Sequence, residues 1–79
     1  MYKWEYTVVR IFGGVVMMED GQEVGNMVNN QPVGEMFYEY LDRVGEQGWE
    51  LIGIAGVREG LEAVLKRPSN EGKLETQEE

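Results

Sequence analysis

The sequence predicts an α+β fold: a small, mainly antiparallel sheet with one helix packed on one face. Three observations indicate this fold. Residues 2–12 begin as an alternation of apolar and polar side chains, which is typical of a half-buried strand. Residues 32–47 place apolar side chains on one face of a helix, and residues 49–57 then form a nearly continuous apolar run. The predicted order is β-arm-α-β-β, in a single domain that spans residues 1–68.

The first strand is expected to run from Tyr2 to Phe12. Its early part alternates cleanly, and Val9 and Ile11 then make the second side apolar as well. Either the strand becomes fully buried at that point, or a bulge near Val8 and Val9 exchanges its two faces.

Residues 13–31 are predicted to form a mobile, hairpin-like arm. Asp20-Gly21 is a typical hairpin turn, and Val24–Met27 would be the returning strand. The polar segment Asn29–Pro32 is expected to break the structure. Methionine side chains adapt to partner surfaces, so the arm either folds back onto its own sheet or contacts a partner through Met17, Met18 and Met27.

The helix is expected to begin at Pro32, which suits a first helical turn, and to run to about Gln47. Arg43 is placed to pair with Glu39 on the solvent side. Gly48 is expected to end the helix. The apolar stripe predicts a helix that lies on a sheet, and it consists of Val33, Met36, Phe37, Tyr40, Leu41 and Val44.

The apolar run Trp49–Val57 predicts a strand that is buried on both faces, against which the other elements are arranged. A tight turn over Arg58-Glu59-Gly60, in which Gly60 can adopt a positive φ, leads to a strand over Leu61–Arg67. Residues 69–79 are polar and charged, and we expect them to form a disordered acidic tail.

Composition disfavours several classes of function. The 79 residues include no cysteine and no histidine, which excludes a structural zinc site of the Cys/His type. The net charge of -8 makes nucleic acid and anionic membranes poor partners. No apolar run approaches the roughly 18 residues of a membrane helix. Because the N-terminal residues lack the pattern of a secretory signal, a cytoplasmic location is expected.

No catalytic, cofactor-binding or metal-binding residue is predicted, so we expect a non-enzymatic protein without a cofactor. The segment Glu19–Glu23 lacks the ligand spacing of a calcium loop. Trp4, Tyr6 and Trp49 are expected to form core rather than a platform for a base or a sugar. Four acidic residues are expected on the solvated back of the helix, where they are poor acid-base candidates: Glu35, Glu39, Asp42 and Glu46.

The main functional prediction rests on a surplus of apolar side chains. Since one helix covers one face of the sheet, Ile52, Ile54 and Val64 are expected on the other face, with Val9 and Ile11 as further candidates. An open apolar face of several hundred Å² is unusual on a monomer. The sequence therefore predicts an interaction module that associates with itself or with another protein through a surface of Ile52, Ile54, Val64, Met17, Met18 and Met27. The alternative is a small-ligand binding or accessory enzyme domain that uses a cleft between helix and sheet.

Three short motifs resemble a known family. They are Trp4-Glu5-Tyr6 before a Val-Val strand, Gly48-Trp49-Glu50-Leu51 after the helix, and the closing Leu65-Lys66-Arg67-Pro68. Together they resemble the small bacterial family called domain of unknown function 4177, over most of residues 1–68. That family joins the first strand to the helix by a shorter or variable loop, so the arm departs from its pattern. The resemblance implies the strand-helix-strand-strand fold, and it implies no activity and no functional residues.

Overall fold

The computed structural model describes residues 3–69, which contain one helix and two antiparallel sheets. The large sheet has five strands in the order β3-β2-β1-β7-β6, and the small one pairs β4 with β5. The α+β class, with a mostly antiparallel sheet and one helix, is confirmed. No helix among residues 3–69 is long and apolar enough to cross a membrane. The elements are β1 (Trp4–Phe12), β2 (Val15–Glu19), β3 (Gln22–Glu23), β4 (Asn26–Val28), β5 (Gln31–Val33), α1 (Phe37–Gly45), β6 (Glu50–Val57) and β7 (Gly60–Pro68).

The core lies between α1 and one face of the large sheet. In the middle strand, β1, Val9 and Ile11 are buried on this face, so the expectation that they point away from the helix is wrong. Val9 lies opposite Ala63, and Ile11 lies opposite Val16. The buried cluster is completed by Leu65 from β7 and by Tyr40 and Val44 from the helix.

Residues 13–31 do not form a separate arm, because their first strand, β2, belongs to the large sheet. Val15 and Val16 are 5% and 1% exposed, as core residues are. The Asp20-Gly21 hairpin turn is confirmed, with φ of 50° and 82°, and it joins β2 to β3. The predicted returning strand Val24–Met27 is wrong, however, because the strand that follows this turn, β3, ends at Glu23. A second turn at Asn29-Asn30, also with positive φ at both residues, pairs β4 with β5 where the sequence predicted a break.

The helix begins at Phe37, and the predicted start at Pro32 is wrong. Pro32 lies in β5 opposite Met27, because residues 31–33 find a pairing partner in β4. Val33 and Met36 therefore precede the helix, whereas the other members of the predicted apolar stripe are buried or packed against the core.

The helix ends at Gly45, slightly earlier than expected, and Gly48 has the predicted role. Its φ is 92°, which turns the chain so that the amide of Trp49 donates a hydrogen bond to the carbonyl of Val44 at 3.1 Å. Arg43 does not pair with Glu39. Its guanidinium donates two hydrogen bonds to Glu35, at 2.9 and 3.0 Å.

The apolar run after the helix forms an edge strand, so its predicted burial on both faces is wrong. Every residue from Glu50 to Gly56 is exposed, and β6 pairs with β7 alone in the strand order. The inner position belongs to β7 because that strand pairs with β1 along eight residues. The turn between β6 and β7 depends on Gly60, whose φ is 129° as expected. A Cβ atom at Gly60 would overlap the carbonyl oxygen of Ile11.

Of the predicted tail, residues 69–79, only Ser69 is described; its amide donates a hydrogen bond to the carbonyl of Lys3 at 2.9 Å.

Candidate interaction surface

The side of the large sheet opposite α1 is called the open face here. Side chains alternate along a strand, so the residues of β1 between the buried ones point to this face. Trp4, Tyr6, Val8 and Phe12 do so, and they are 39–57% exposed although β1 is the middle strand of five. The prediction that Trp4 and Tyr6 are buried against the helix is wrong; only Trp49 of the three packs against the core.

Two of the three predicted sheet residues lie on the open face. Val64 pairs directly with Val8 and therefore shares its face. Ile52 is the unpaired residue of a bulge between Leu51 and Gly53, and it is 46% exposed beside Val64.

Ile54 lies on the helix side of the sheet, which corrects its predicted position. It pairs with Ala63, whose side chain is fully buried under the helix. The extra residue in the bulge shifts the alternation by one, so Ile54 points away from Ile52 and Val64. Ile54 is nevertheless 50% exposed, because it stands on the edge strand, outside the core cluster beneath the helix.

The three methionines predicted to face a partner line one groove of about 450 Å³. Met17 and Met18 are half-buried, and Met27 from the second hairpin is 45% exposed. The arm thus folds back onto its own sheet, and contact of these methionines with a partner stays a prediction. The groove lies at one end of the open face, and its other lining residues are Arg10, Ile11, Phe12 and Glu59.

The charged side chains of the open face nearly balance one another. Arg10 pairs with Glu62 at 3.3 Å, and Lys66 has both Tyr6 and Glu50 as strand neighbours. The Lys66 Nζ lies 4.3 Å from the centroid of the Trp4 ring, in a cation–π contact. Glu23 of β3 also lies on this face, because it pairs with Met18, which in turn pairs with Arg10. Two positive and three negative residues therefore give this face a net charge of -1, against -8 for the chain as a whole.

A separate polar cluster ties α1 to β2 on the helix side. The Tyr40 hydroxyl donates a hydrogen bond to Glu19 at 2.6 Å, and the Arg43 guanidinium lies 5.3 Å from the Tyr40 ring centroid. Burial, followed by the contact with the Glu19 carboxylate, raises the pKa of Tyr40 well above its ordinary range. The hydrogen bond from Arg43 lowers the pKa of Glu35. Tyr40 is thus kept neutral and Glu35 is kept ionised, which suits a structural tie better than proton transfer.

Within residues 3–69, no three histidine, cysteine or acidic residues are grouped so that they could hold a metal ion.

Comparisons with protein-family models, with curated proteins and with solved structures found no match for this chain. The resemblance to domain of unknown function 4177 stays a prediction.

Sequence reasoning missed the row formed by Trp4, Tyr6 and Val8, although a signal for it was present. The same side of the strand carries Arg10, and the facing row of β7 carries Glu62 and Lys66. Charged residues within a row mark the side that meets solvent, because burying an unpaired charge is costly. The aromatic residues masked this signal, since aromatics in a chain this small usually form core.

Proposed function

We propose that the protein is a small, non-enzymatic interaction module that associates with a second copy of itself through the open face. The observation that carries the proposal is the exposure of β1. It is the middle strand of the sheet, yet the four apolar side chains on its open-face side are 39–57% exposed. Exposed apolar side chains grouped in the middle of a sheet are typical of an interaction site.

The charges of the open face support a second copy as the partner. An acidic chain repels another copy of itself over most of its surface. On the open face, however, Arg10 and Lys66 offset two of the three acidic residues, Glu23, Glu50 and Glu62, so two such faces repel each other less than the rest of the surface does. In a two-fold interface, any contact between a basic residue of one copy and an acidic residue of the other is made twice. A cytoplasmic location belongs to the same proposal.

The experiment compares two tyrosine substitutions of equal chemistry. Tyr6 and Tyr38 are 57% and 65% exposed, the first on the open face and the second on the helix. We expect the wild-type chain to show a concentration-dependent increase in mass by sedimentation velocity and light scattering. Tyr6→Gln should weaken this association by about tenfold or more, and Tyr38→Gln should leave it unchanged.

Two outcomes would overturn the proposal. One is a wild-type chain that stays monomeric at the highest concentration measured. The other is an equal loss of association in both variants, which would reflect a general effect of removing an exposed aromatic ring.

A second candidate function is the binding of a small apolar ligand in the methionine groove. Its volume of about 450 Å³ lies within the range of small-molecule sites. Met18→Gln should then reduce the fluorescence enhancement of an apolar dye such as anilinonaphthalene sulfonate, while Val33→Gln, at a position 51% exposed on β5, should not. Equal dye fluorescence in both variants would rule the groove out as the site.

A further inference from the structure

We infer that β6 also pairs antiparallel with β6 of a second copy, so that the two large sheets join into one continuous sheet. The inference deepens the proposed self-association by naming a second contact, and the test below separates the two. It rests on the position of β6 at the edge of the sheet, on the register of its pairing with β7, and on the residues it exposes.

The two edges of the large sheet differ sharply. At one edge, β3 has two residues, Gln22 and Glu23, and is thus short and polar. At the other edge, β6 has eight residues, and Leu51–Val57 contains neither a charge nor a proline. Proteins protect exposed edges with short strands, charges or proline, and a long apolar edge without them is a template for another strand. Only the bulge at Ile52 interrupts β6, which leaves Gly53–Val57 as a regular pairing segment.

The register determines which backbone groups of β6 are free. Val57 and Gly60 flank the two-residue loop and form the hydrogen-bonded pair that closes it. Hydrogen-bonded and non-hydrogen-bonded pairs alternate from there along an antiparallel ladder. Ala55 and Gly53 therefore bond to β7, and the amide and carbonyl groups of Ile54 and Gly56 point outward.

A two-fold axis at Ala55 satisfies these outward groups. Ile54 then faces Gly56 of the second copy and exchanges two backbone hydrogen bonds with it. By symmetry, Gly56 of the first copy does the same with Ile54 of the second. The axis places Ala55 opposite its own copy in a non-hydrogen-bonded pair. No charged residue lies between Gly53 and Val57, so the register sets no like charges opposite each other.

This register also covers two exposed side chains on the helix side. Ile54 is 50% and Leu61 is 41% exposed, and Leu61 is the β7 partner of Gly56. One row across the joined sheet then contains Ile54 of the first copy, followed by Gly56 and Leu61 of the second copy. Since glycine has no side chain between them, the isoleucine and the leucine can close over it and leave the solvent together.

Nothing within residues 3–69 of a single chain explains why position 56 is a glycine. It does not have a positive φ, and a Cβ atom there would meet nothing within 4 Å. Gly53 is accounted for by the bulge, but Gly56 lies in the regular segment. A glycine inside a strand typically marks a bulge or a place where another backbone approaches closely.

The test uses single cysteines in a chain that has none. In the inferred register the two Ala55 Cα atoms lie about 4.5 Å apart, within the range that a disulfide bridges. The Val57 residues of the two copies lie about 13 Å apart along the same strands. Under mild oxidation, Ala55→Cys should therefore give a disulfide-linked dimer at least about tenfold faster than Val57→Cys. Equal rates for the two variants would overturn the register.

A second set of variants separates the edge from the open face. Ile54→Lys and Ile54→Pro, checked for folding by circular dichroism, should weaken association by about tenfold or more, because one places a charge at the edge and the other removes an outward amide. If both leave it unchanged and Tyr6→Gln weakens it, the edge inference fails and the proposed function stands. If the Ile54 variants weaken it and Tyr6→Gln does not, β6 is the contact and the open face is not. A monomeric wild-type chain would overturn both.

Discussion

The phenolic hydroxyl of Tyr40 donates a hydrogen bond of 2.6 Å to a carboxylate oxygen of Glu19. Tyr40 is 2% exposed in the first half of the helix, and Glu19 is the last residue of β2. The aromatic ring fills the core while its polar tip reaches the end of the neighbouring strand. This contact connects the helix to a strand that the sequence placed in an arm.

Tyr40→Phe should lower the free energy of unfolding by about 1–2 kcal/mol, because a hydrogen bond to a charged acceptor is lost while the ring stays buried. Tyr38→Phe is the control, since Tyr38 is 65% exposed on the same helix, and its effect should stay within about 0.5 kcal/mol. Urea denaturation monitored by circular dichroism measures both. Equal effects would show that the hydrogen bond adds nothing to stability.

The same contact predicts a loss of stability in alkali. Burial and the Glu19 carboxylate raise the pKa of Tyr40 above its ordinary value of 10.0. The stabilisation linked to this raised pKa is fully present below the pKa of the unfolded chain, and it is lost as pH rises from about 10 towards the folded pKa. The free energy of unfolding should therefore fall more steeply above about pH 10 in the wild-type chain than in Tyr40→Phe. Parallel curves for the two proteins would contradict this.

Two directly paired leucines should respond very differently to truncation. Leu65 and Leu51 face each other across β7 and β6, but they are 0% and 40% exposed. Leu65→Ala leaves a cavity in the core and should cost about 2–5 kcal/mol of stability. Leu51→Ala removes a side chain from the edge and should cost less than about 1 kcal/mol. Comparable losses would mean that the edge is buried in the free protein.

Replacing two glycines of the β6–β7 hairpin by alanine should change stability by very different amounts. Gly60→Ala adds a Cβ atom against the Ile11 carbonyl at a φ of 129°, so it should destabilise the fold by more than about 1 kcal/mol. Gly56→Ala meets nothing within 4 Å and should be neutral or stabilise by up to about 1 kcal/mol. Thermal unfolding of dilute samples measures both. A destabilising Gly56→Ala would reveal a steric requirement that the single chain does not show.

The sequence predicted the structure correctly at turns and at the helix end, where a single residue determines the backbone conformation. Gly48 and Gly60 have the positive φ that their positions required, and Asp20-Gly21 forms the expected hairpin turn. The helix was recognised from its apolar stripe, but its start was not. Pro32 fits a first helical turn and an edge strand equally well, and only the pairing with Met27 decides between them.

The order of the strands could not be predicted, because a local sequence pattern does not determine which strand pairs with which. The run Leu51–Val57 has the apolar composition of a central strand and occupies an edge. The bulge at Ile52 then exchanged the faces of the residues beyond it, so Ile54 was assigned to the wrong side. The three methionines were recognised together, and they do line one groove.

The unequal edges of the sheet also limit how large an assembly can become. A molecule with two open edges adds copies without end and grows into a filament. In the large sheet formed by residues 3–69, the polar two-residue β3 terminates one side, so joining through β6 uses up the one long free edge of that sheet. Edge pairing therefore stops at two copies. Larger assemblies would have to form through the faces of the sheets, because the joined sheet cannot be extended by further copies.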